Sequence, residues 1–441
     1  MGRVQDQVAV VTGEQLGLTV GDEMGDARPR PRSSGRPSVV SDELGGTGLI
    51  LLTIGLLLAL HNANRFGIAG LFGPLRVRYR GAYATVGNLF SAYPLAYACS
   101  QIPVGFLADR LDPRRLILLG TAGATVAGVV FALTDTYGVG LGARLVAGVC
   151  GAMIYTPAMT FGIGSFPAAK RGAAIGVAYT GVGLGTATSL AALPVLVDWI
   201  GLSGALLCLA GFAAFMTVLT PFGLAMRRKE RPVARSTPRS LLRQGGFLCL
   251  LGFSFFGFFN TYALLTWLPA YLSDGLGVSP SRAGALAALV NITMTVSSPL
   301  VGKLSDVVRS RRLVLQIGAL CSLAAFAILA TTRAVPLALV AGVLAGIASS
   351  MTTAPMIVFA GERFGVGSAG LAVGMVNGIG QTGSSLSGIV FGPLLDATGS
   401  FGSIWWSCIP IGVVRCALLQ MIGDEASPDP GTAAAEGPRT S

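Results

Sequence analysis

The sequence predicts an all-α integral membrane protein with twelve transmembrane helices in two six-helix bundles, and three observations carry that prediction. First, hydrophobic residues make up 52% of the chain and charged residues only 12%, a balance outside the ordinary soluble range. Second, a spanning helix needs roughly 20 mostly apolar residues. Such windows occur at 47–71, 82–104, 115–134, 137–162, 172–196, 202–225, 246–271, 278–301, 312–331, 334–360, 369–393 and 401–422. Third, the chain repeats itself. Gly105-Phe-Leu-Ala-Asp109-Arg110-Leu-Asp-Pro-Arg114-Arg115 links spans 2 and 3, and Gly302-Lys-Leu-Ser-Asp306-Val-Val-Arg309-Ser-Arg311-Arg312 links spans 8 and 9. Pro157, Phe161, Gly172, Gly176 and Gly185 recur in order as Pro355, Phe359, Gly370, Gly374 and Gly383. Two halves built alike in the same order make a parallel pseudo-repeat.

A net charge of +11 would suit a nucleic-acid partner in a soluble chain, but its distribution suits a bilayer. With a cytoplasmic N-terminus, the outer loops hold Arg76, Arg78, Arg80, Arg282 and Arg333, and the spans hold Arg65, Arg144 and Arg415. The remaining Lys and Arg fall on the inner side. This positive-inside bias places both termini in the cytoplasm and the protein in the cell (plasma) membrane, with no nucleic-acid partner. All seven cysteines lie in apolar runs without metal-ligand spacing and read as small hydrophobes.

Residues 1–46, polar and rich in Gly, Pro and Arg, are expected to be a disordered cytoplasmic tail, and 47–225 the N-terminal six-helix bundle. Span 1 carries His61-Asn62-Ala-Asn64-Arg65, groups that are rare in lipid and usually face a packed or watered interior. His61 and Arg65 are four apart and share a helical face. They are candidate substrate-binding residues, the alternative being that Arg65 snorkels to the outer interface. Span 4 carries Arg144 within a glycine-rich run, for a direct or a structural role. Gly181-Val-Gly-Leu-Gly185 has the spacing of a dinucleotide loop but lies inside span 5, so no cofactor is expected. Residues 226–245 form a basic cytoplasmic linker, 246–422 the C-terminal six-helix bundle and 423–441 a second disordered tail. Span 7 offers Asn260 and Trp267, with Pro269 freeing a carbonyl near its outer end. The other interior candidates of this half are uncharged: Asn291 on span 8, and Asn377 and Gln381, four apart, on span 11. Arg415, near the inner end of span 12, is expected to snorkel.

The two hairpins, with Gly-x-Leu-x-Asp followed by clustered Arg, resemble the loop signature of the major facilitator superfamily, which joins helices 2 and 3 and, more weakly, 8 and 9. The first copy has Asp112-Pro113 where the family usually has a single Gly, and the second lacks a basic residue right after Asp306. Arg144 followed by Gly148 resembles the family's helix 4 signature, which implies an arginine facing the interhelical interior. The ending Tyr262-x-x-x-x-Trp267-Leu-Pro269-x-Tyr271 is similar to that of organic-anion and sugar-phosphate members. Arginines on helices 1 and 4 resemble the anion:cation symporter branch. Two departures from that branch stand out: the acidic residue some members carry seven positions after the helix 4 arginine is Gly151 here, and a second arginine on helix 7 is missing. The resemblance implies alternating access by rocking of the two bundles, with Gly105, Asp109, Arg110, Arg114, Gly302 and Asp306 as conformational gating residues.

Nothing in the chain suggests an enzyme. It has one His, no metal-ligand spacing and no Gly-rich phosphate loop with its Lys, so no catalytic residue, metal or cofactor is expected. Every Asp and Glu falls in a tail, a loop or a helix end. Two buried arginines without an internal counter-ion are expensive unless an anion binds there. The leading reading is a secondary active transporter of a small organic anion, a carboxylate or a phosphate ester, held by Arg65 and Arg144 with His61, Asn260, Trp267, Asn291, Asn377 and Gln381 around it. The alternatives are an exporter of neutral or hydrophobic compounds and a transporter-like solute sensor. The coupled species is a proton carried by His61, whose unperturbed pKa is near neutral, or a counter-transported anion. The expected unit is a monomer in the lipid bilayer.

Overall fold

The computed structural model describes the backbone of residues 38–165, 168–224, 238–308, 310–364 and 369–422. Within these, the side chains at 38–47, 102, 106, 108–110, 160, 162–176, 179, 238, 240, 306, 354, 357, 369 and 370 lie outside the description. The expected tails and most of the linker fall on residues outside the described ones. By its internal contacts the chain divides into Met1–Leu44 and one compact unit, Gly45–Ser441. The rest of the description concerns the second unit.

Apolar runs flanked by helix-starting residues fold as long helices. The first, α1 (Ser38–Phe66), passes through a 3₁₀ turn at Gly67–Leu71 into α2 (Phe72–Tyr79). It is followed by α3 (Tyr83–Arg110), α4 (Pro113–Leu133) and α5 (Tyr137–Ser165). Next comes α6 (Ala168–Gly223), whose axis breaks at Gly201. Gly201 has φ of 73°, a left-handed conformation that glycine adopts without steric cost, and it sits in the link expected between spans 5 and 6. A short α7 (Pro238–Leu242) precedes α8 (Phe247–Ala270), which loosens into a π turn at Tyr271–Gly275 just beyond Pro269. The chain ends with α9 (Pro280–Val308), α10 (Arg311–Thr331), α11 (Val335–Phe364), α12 (Ala369–Thr398) and α13 (Phe401–Gln420). Among the described residues, nine helical stretches are long and apolar enough to cross a membrane. One of them, Thr180–Gly223, contains the break at Gly201. Leu119, Val126, Phe215, Val218, Val340 and Val413 stand more than half exposed, as side chains facing lipid do.

The hairpins are repeated in their capping as well as their sequence. Asp112 accepts a hydrogen bond from the Arg114 N–H at 3.0 Å, and Pro113 fills the first position of α4. Ser310 accepts from the Leu313 N–H at 3.3 Å at the start of α10. Asp112-Pro113 is therefore a helix start, with a cap acceptor followed by a residue that has no N–H to satisfy.

The helices pack closely at one end, whereas toward the other the described residues fall into separate cores. Apart from neighbours in sequence, α3 packs on α12 and α6 on α9, joining the first half of the unit to the second. One apolar core spans both halves: Phe66, Phe72 and Phe90 meet Trp267, Tyr271 and Phe391. It lies toward the end that carries the turns at 80–82 and 271–279. Toward the hairpins the cores are separate. Ile54, Ile117 and Met216 belong to one, Phe247, Met356 and Leu419 to another. Close approach at the joined end depends on glycine: a Cβ on Gly87 would strike the Gly388 carbonyl, and one on Gly388 the Gly87 carbonyl. A Cβ on either hairpin glycine, Gly105 or Gly302, would meet nothing within 4 Å.

Candidate functional site

A guanidinium in an apolar interior needs acceptors for its N–H groups, and the identity of those acceptors separates a structural arginine from one left available to a ligand. Arg65, near the end of α1 and only 2% exposed, reaches across the molecule to α12. Its Nη2 donates to Gln381 Oε1 and to Ser384 Oγ, each at 2.8 Å. Its guanidinium carbon lies 4.3 Å from the ring centre of Tyr262 on α8 and 5.8 Å from that of Tyr97 on α3. Nε has no acceptor. Every one of these groups is neutral, so the charge is solvated by dipoles and ring faces but has no counter-ion. Arg65 does not snorkel.

One turn earlier, His61 sits in an aromatic box on the same face. Its Nδ1 is 3.0 Å from Tyr93 Oη, and the rings of Tyr97 and Tyr155 lie 4.9 and 5.1 Å from its own. A Cβ on Gly151 would overlap Tyr93 Oη and come within 3.0 Å of His61 Nδ1. The absence of a side chain at Gly151 is thus what leaves room for the tyrosine hydroxyl beside the histidine.

Arg144 has a different fate. Its Nη1 donates to the Asn64 carbonyl at 2.7 Å and its Nε to the Leu89 carbonyl at 3.2 Å, tying α5 to α1 and α3. Its Nη2 is unpartnered beside a cavity of about 10 Å³, room for one water at most. This arginine joins three helices of the first half and does not meet Arg65's partners.

The remaining candidates divide in the same way. Gln381 meets Arg65, and the half-buried Asn377 lies one turn away on α12. Asn260 turns from the site to donate to the Cys408 carbonyl on α13 at 3.2 Å. Trp267 donates to the Ser387 carbonyl at 3.3 Å and packs on Phe72, inside the joined core. Asn291 is buried on α9 with its Oδ1 unpartnered. Arg415 departs from expectation. It is 2% exposed, stacked 4.6 Å from Phe253 on α8, because Gly257 leaves room for the guanidinium against that helix. The side chains of Asp109, Arg110 and Asp306 lie outside the described ones, and Arg114 is represented by its cap bond to Asp112.

Three groups were not among the site residues the sequence singled out. Ser384 and the ring of Tyr262 complete the Arg65 site, and the signal for Ser384 was its place one turn after Gln381. A carboxylate latch closes the joined end. Asp396 of α12 accepts from the N–H groups of both Tyr83 and Ala84 at 2.8 Å, capping α3 from the other half. Asp274 accepts from Tyr83 Oη at 2.7 Å and pairs with Arg76 at 3.6 Å, and Asp198 on α6 accepts from Ser281 on α9. The same three carboxylates fall at helix ends in the sequence.

The chain combines helices of membrane-crossing length and composition with a buried arginine on α1 that bonds to α12 of the other half. The chain belongs to the Major Facilitator Superfamily, which it matches over residues 51–388 and 250–440. It is 26% identical over 381 residues to the probable sulfoacetate transporter SauU of Cupriavidus necator, covering 78% of this chain and 87% of that one. It is 25% identical over 274 residues to the chloroplastic sodium-dependent phosphate transport protein 1 of Arabidopsis thaliana, 57% of this chain and 53% of the relative. The chloroplastic ascorbate transporter of the same plant is 24% identical over 276 residues, 58% of this chain and 51% of the relative. The chain thus spans about half the length of these two plant relatives. In fold it is similar to a bacterial homologue of the human lysosomal transporter Spinster, solved in an inward-facing, unoccupied conformation. The TM-score is 0.66 at 18% identity, covering 86% of this chain and 95% of that one.

Proposed function

We propose that this protein is a secondary active transporter that moves a small organic anion across the plasma membrane by alternating access. The observation that carries the reading is Arg65, a fully buried cation between the halves with only neutral partners. An anion entering from the hairpin end can take over the guanidinium from Gln381 and Ser384 in a charge-assisted bond, stronger than the neutral ones it replaces. The relatives named for phosphate, ascorbate and sulfoacetate support an anionic cargo.

In this reading α1 with α2, then α3, α4, α5, the two parts of α6, and α8 to α13 supply twelve spans in six-plus-six order, with both termini cytoplasmic. The hairpins face the cytoplasm, the latch of Asp274 and Asp396 closes the outer side, and the described state is open inward. Rocking to the other state breaks the latch and brings Gly105 and Gly302, now facing open space, against the opposite half. Asp109, Arg110 and Asp306 then hold the inner ends together. The functional unit is a monomer, and the coupled species is a proton on His61 or a second anion.

A second reading, export of hydrophobic compounds, draws on an apolar cavity of about 680 Å³ whose lining includes Leu52, Leu56, Val177, Leu184 and Phe212. Its walls are α1 and α6, both from the first half, whereas a site exposed alternately to the two sides needs walls from both.

Thermal stabilisation of the purified protein by a panel of carboxylates, phosphate esters and neutral drugs, run beside Arg65→Ala, tests the proposal, since a ligand of the folded state raises its melting temperature. Stabilisation by an anion in the native protein and not in the variant is expected. Stabilisation by neutral compounds alone, equal in both, would replace the anion carrier with an exporter.

A further inference from the structure

Resting on the anion reading, we infer that the Arg65 site selects monovalent anions and discriminates against dianions of the same size and shape. The inference follows from counting the positive charges that can reach a ligand at this depth.

Three cations are buried among the described residues: Arg65, Arg144 and Arg415. Arg144 is engaged by two main-chain carbonyls on α1 and α3, and moving it toward Arg65 would strip both of their donor. Arg415 lies against Gly257 and Phe253. Gly257 and Tyr262 are five residues apart on α8, so they point about 140° away from each other around the helix. Arg415 and Arg65 therefore occupy opposite sides of α8. His61 has its Nδ1 at Tyr93 Oη and is ringed by three tyrosines, with no acidic group facing it. Among the described side chains, one permanent positive charge remains for a ligand.

The other groups around Arg65 can hydrogen-bond a ligand without neutralising it. Gln381 and Ser384 offer dipoles. Tyr262 and Tyr97 turn their ring faces to the guanidinium, and a ring face carries partial negative charge that repels a second anionic group. A monoanion leaves the loaded site neutral. A dianion leaves one negative charge uncompensated in a low-dielectric interior, the costly situation for any buried ion. Carboxylates and sulfonates with a single charge fit; phosphate monoesters as dianions do not.

The test uses matched sets on one carbon skeleton. Succinate, glutarate and phthalate are each compared as the diacid, the monomethyl ester and the dimethyl ester, at a pH where every free carboxyl is ionised, by thermal shift on the full chain. For the set that fits the pocket, the monoester is expected to bind at least about tenfold tighter than the dianion, a difference of roughly 1.4 kcal/mol. A dianion that binds as tightly as its monoester overturns the inference and leaves the anion reading standing. Dimethyl esters that match the monoesters, or silence from all three sets together with silence from every anion of the first panel and from methanesulfonate, sink the anion reading itself. Ser384→Lys, which adds a second cation beside Arg65, is expected to turn the preference toward the dianion. An unchanged order in that folded variant contradicts the charge-counting argument.

Discussion

Arg65 and Arg144 are both arginines buried in apolar helices of the first half, and their environments teach what each is for. Arg144 donates to two carbonyls of neighbouring helices and acts as a clamp. Arg65 donates to two side chains of the opposite half, Gln381 and Ser384, either of which can rotate away. Main-chain carbonyls cannot be withdrawn without moving a helix, so a ligand competes poorly for Arg144. A glutamine and a serine can yield, so a ligand competes well for Arg65. Under the proposed function, exchangeable partners make Arg65 the binding residue and fixed ones make Arg144 structural.

The comparison can be broken most directly at Arg65. Arg65→Ala removes two charge-assisted bonds worth roughly 1.5–3 kcal/mol each, so anion affinity is expected to fall by about 100-fold or more, read by thermal shift or uptake. Retained affinity would move the site elsewhere. Arg144→Ala is expected to do the reverse. Two carbonyls lose their donor at about 1–3 kcal/mol each, lowering the melting temperature by at least about 3 °C while the surviving folded protein still binds anion. Loss of binding with unchanged stability would give Arg144 the ligand role. Asp396→Ala removes the cap that joins α12 to α3 and costs about 1–2 kcal/mol. Labelling of a cysteine introduced at Val86, buried in the joined core, is expected to rise roughly 5- to 30-fold. No change would mean that the apolar core alone closes that end. The smallest effect is expected at His61, which shares the ring of Tyr97 with Arg65 but bonds to neither Gln381 nor Ser384. His61→Gln should alter anion affinity by no more than about threefold. Loss of any pH dependence of uptake in that variant assigns the proton to His61, and its persistence removes the role.

The fold was legible because the signals that set it are local and repeated. Apolar length, the doubled hairpins and the glycine pattern all follow from what a helix needs in lipid. Even the unusual Asp112-Pro113 had a local cause in capping α4. The site was legible only where a costly group announced itself, as Arg65 and His61 did in span 1. Gln381 followed from its shared face with Asn377. Ser384 is one serine among many, and only the tertiary approach of α1 to α12 gives it a role. Asn260 and Trp267 looked like site residues because they are the single Asn and the single Trp of a largely apolar span 7, yet the face each occupies is decided by packing against α13 and α2. Arg415 failed for a related reason: its distance from the helix end suggested snorkelling, but Gly257 opens a berth on α8 that no periodicity reveals. The latch was hidden because Asp274 and Asp396 sit at helix ends, where carboxylates are common and their partners come from the other half.

The most direct test of the central claim, that the unbalanced charge of Arg65 holds the anion, is Gln381→Glu. This change gives the guanidinium a built-in counter-ion at the position of an existing 2.8 Å bond and leaves the arginine and the packing in place. Thermal shift of this variant with the anion that stabilises the native protein is expected to show an unimpaired melting temperature without ligand and no stabilisation with it. Stabilisation equal to that of the native protein would contradict the claim, because a neutralised Arg65 could not then be what the anion binds.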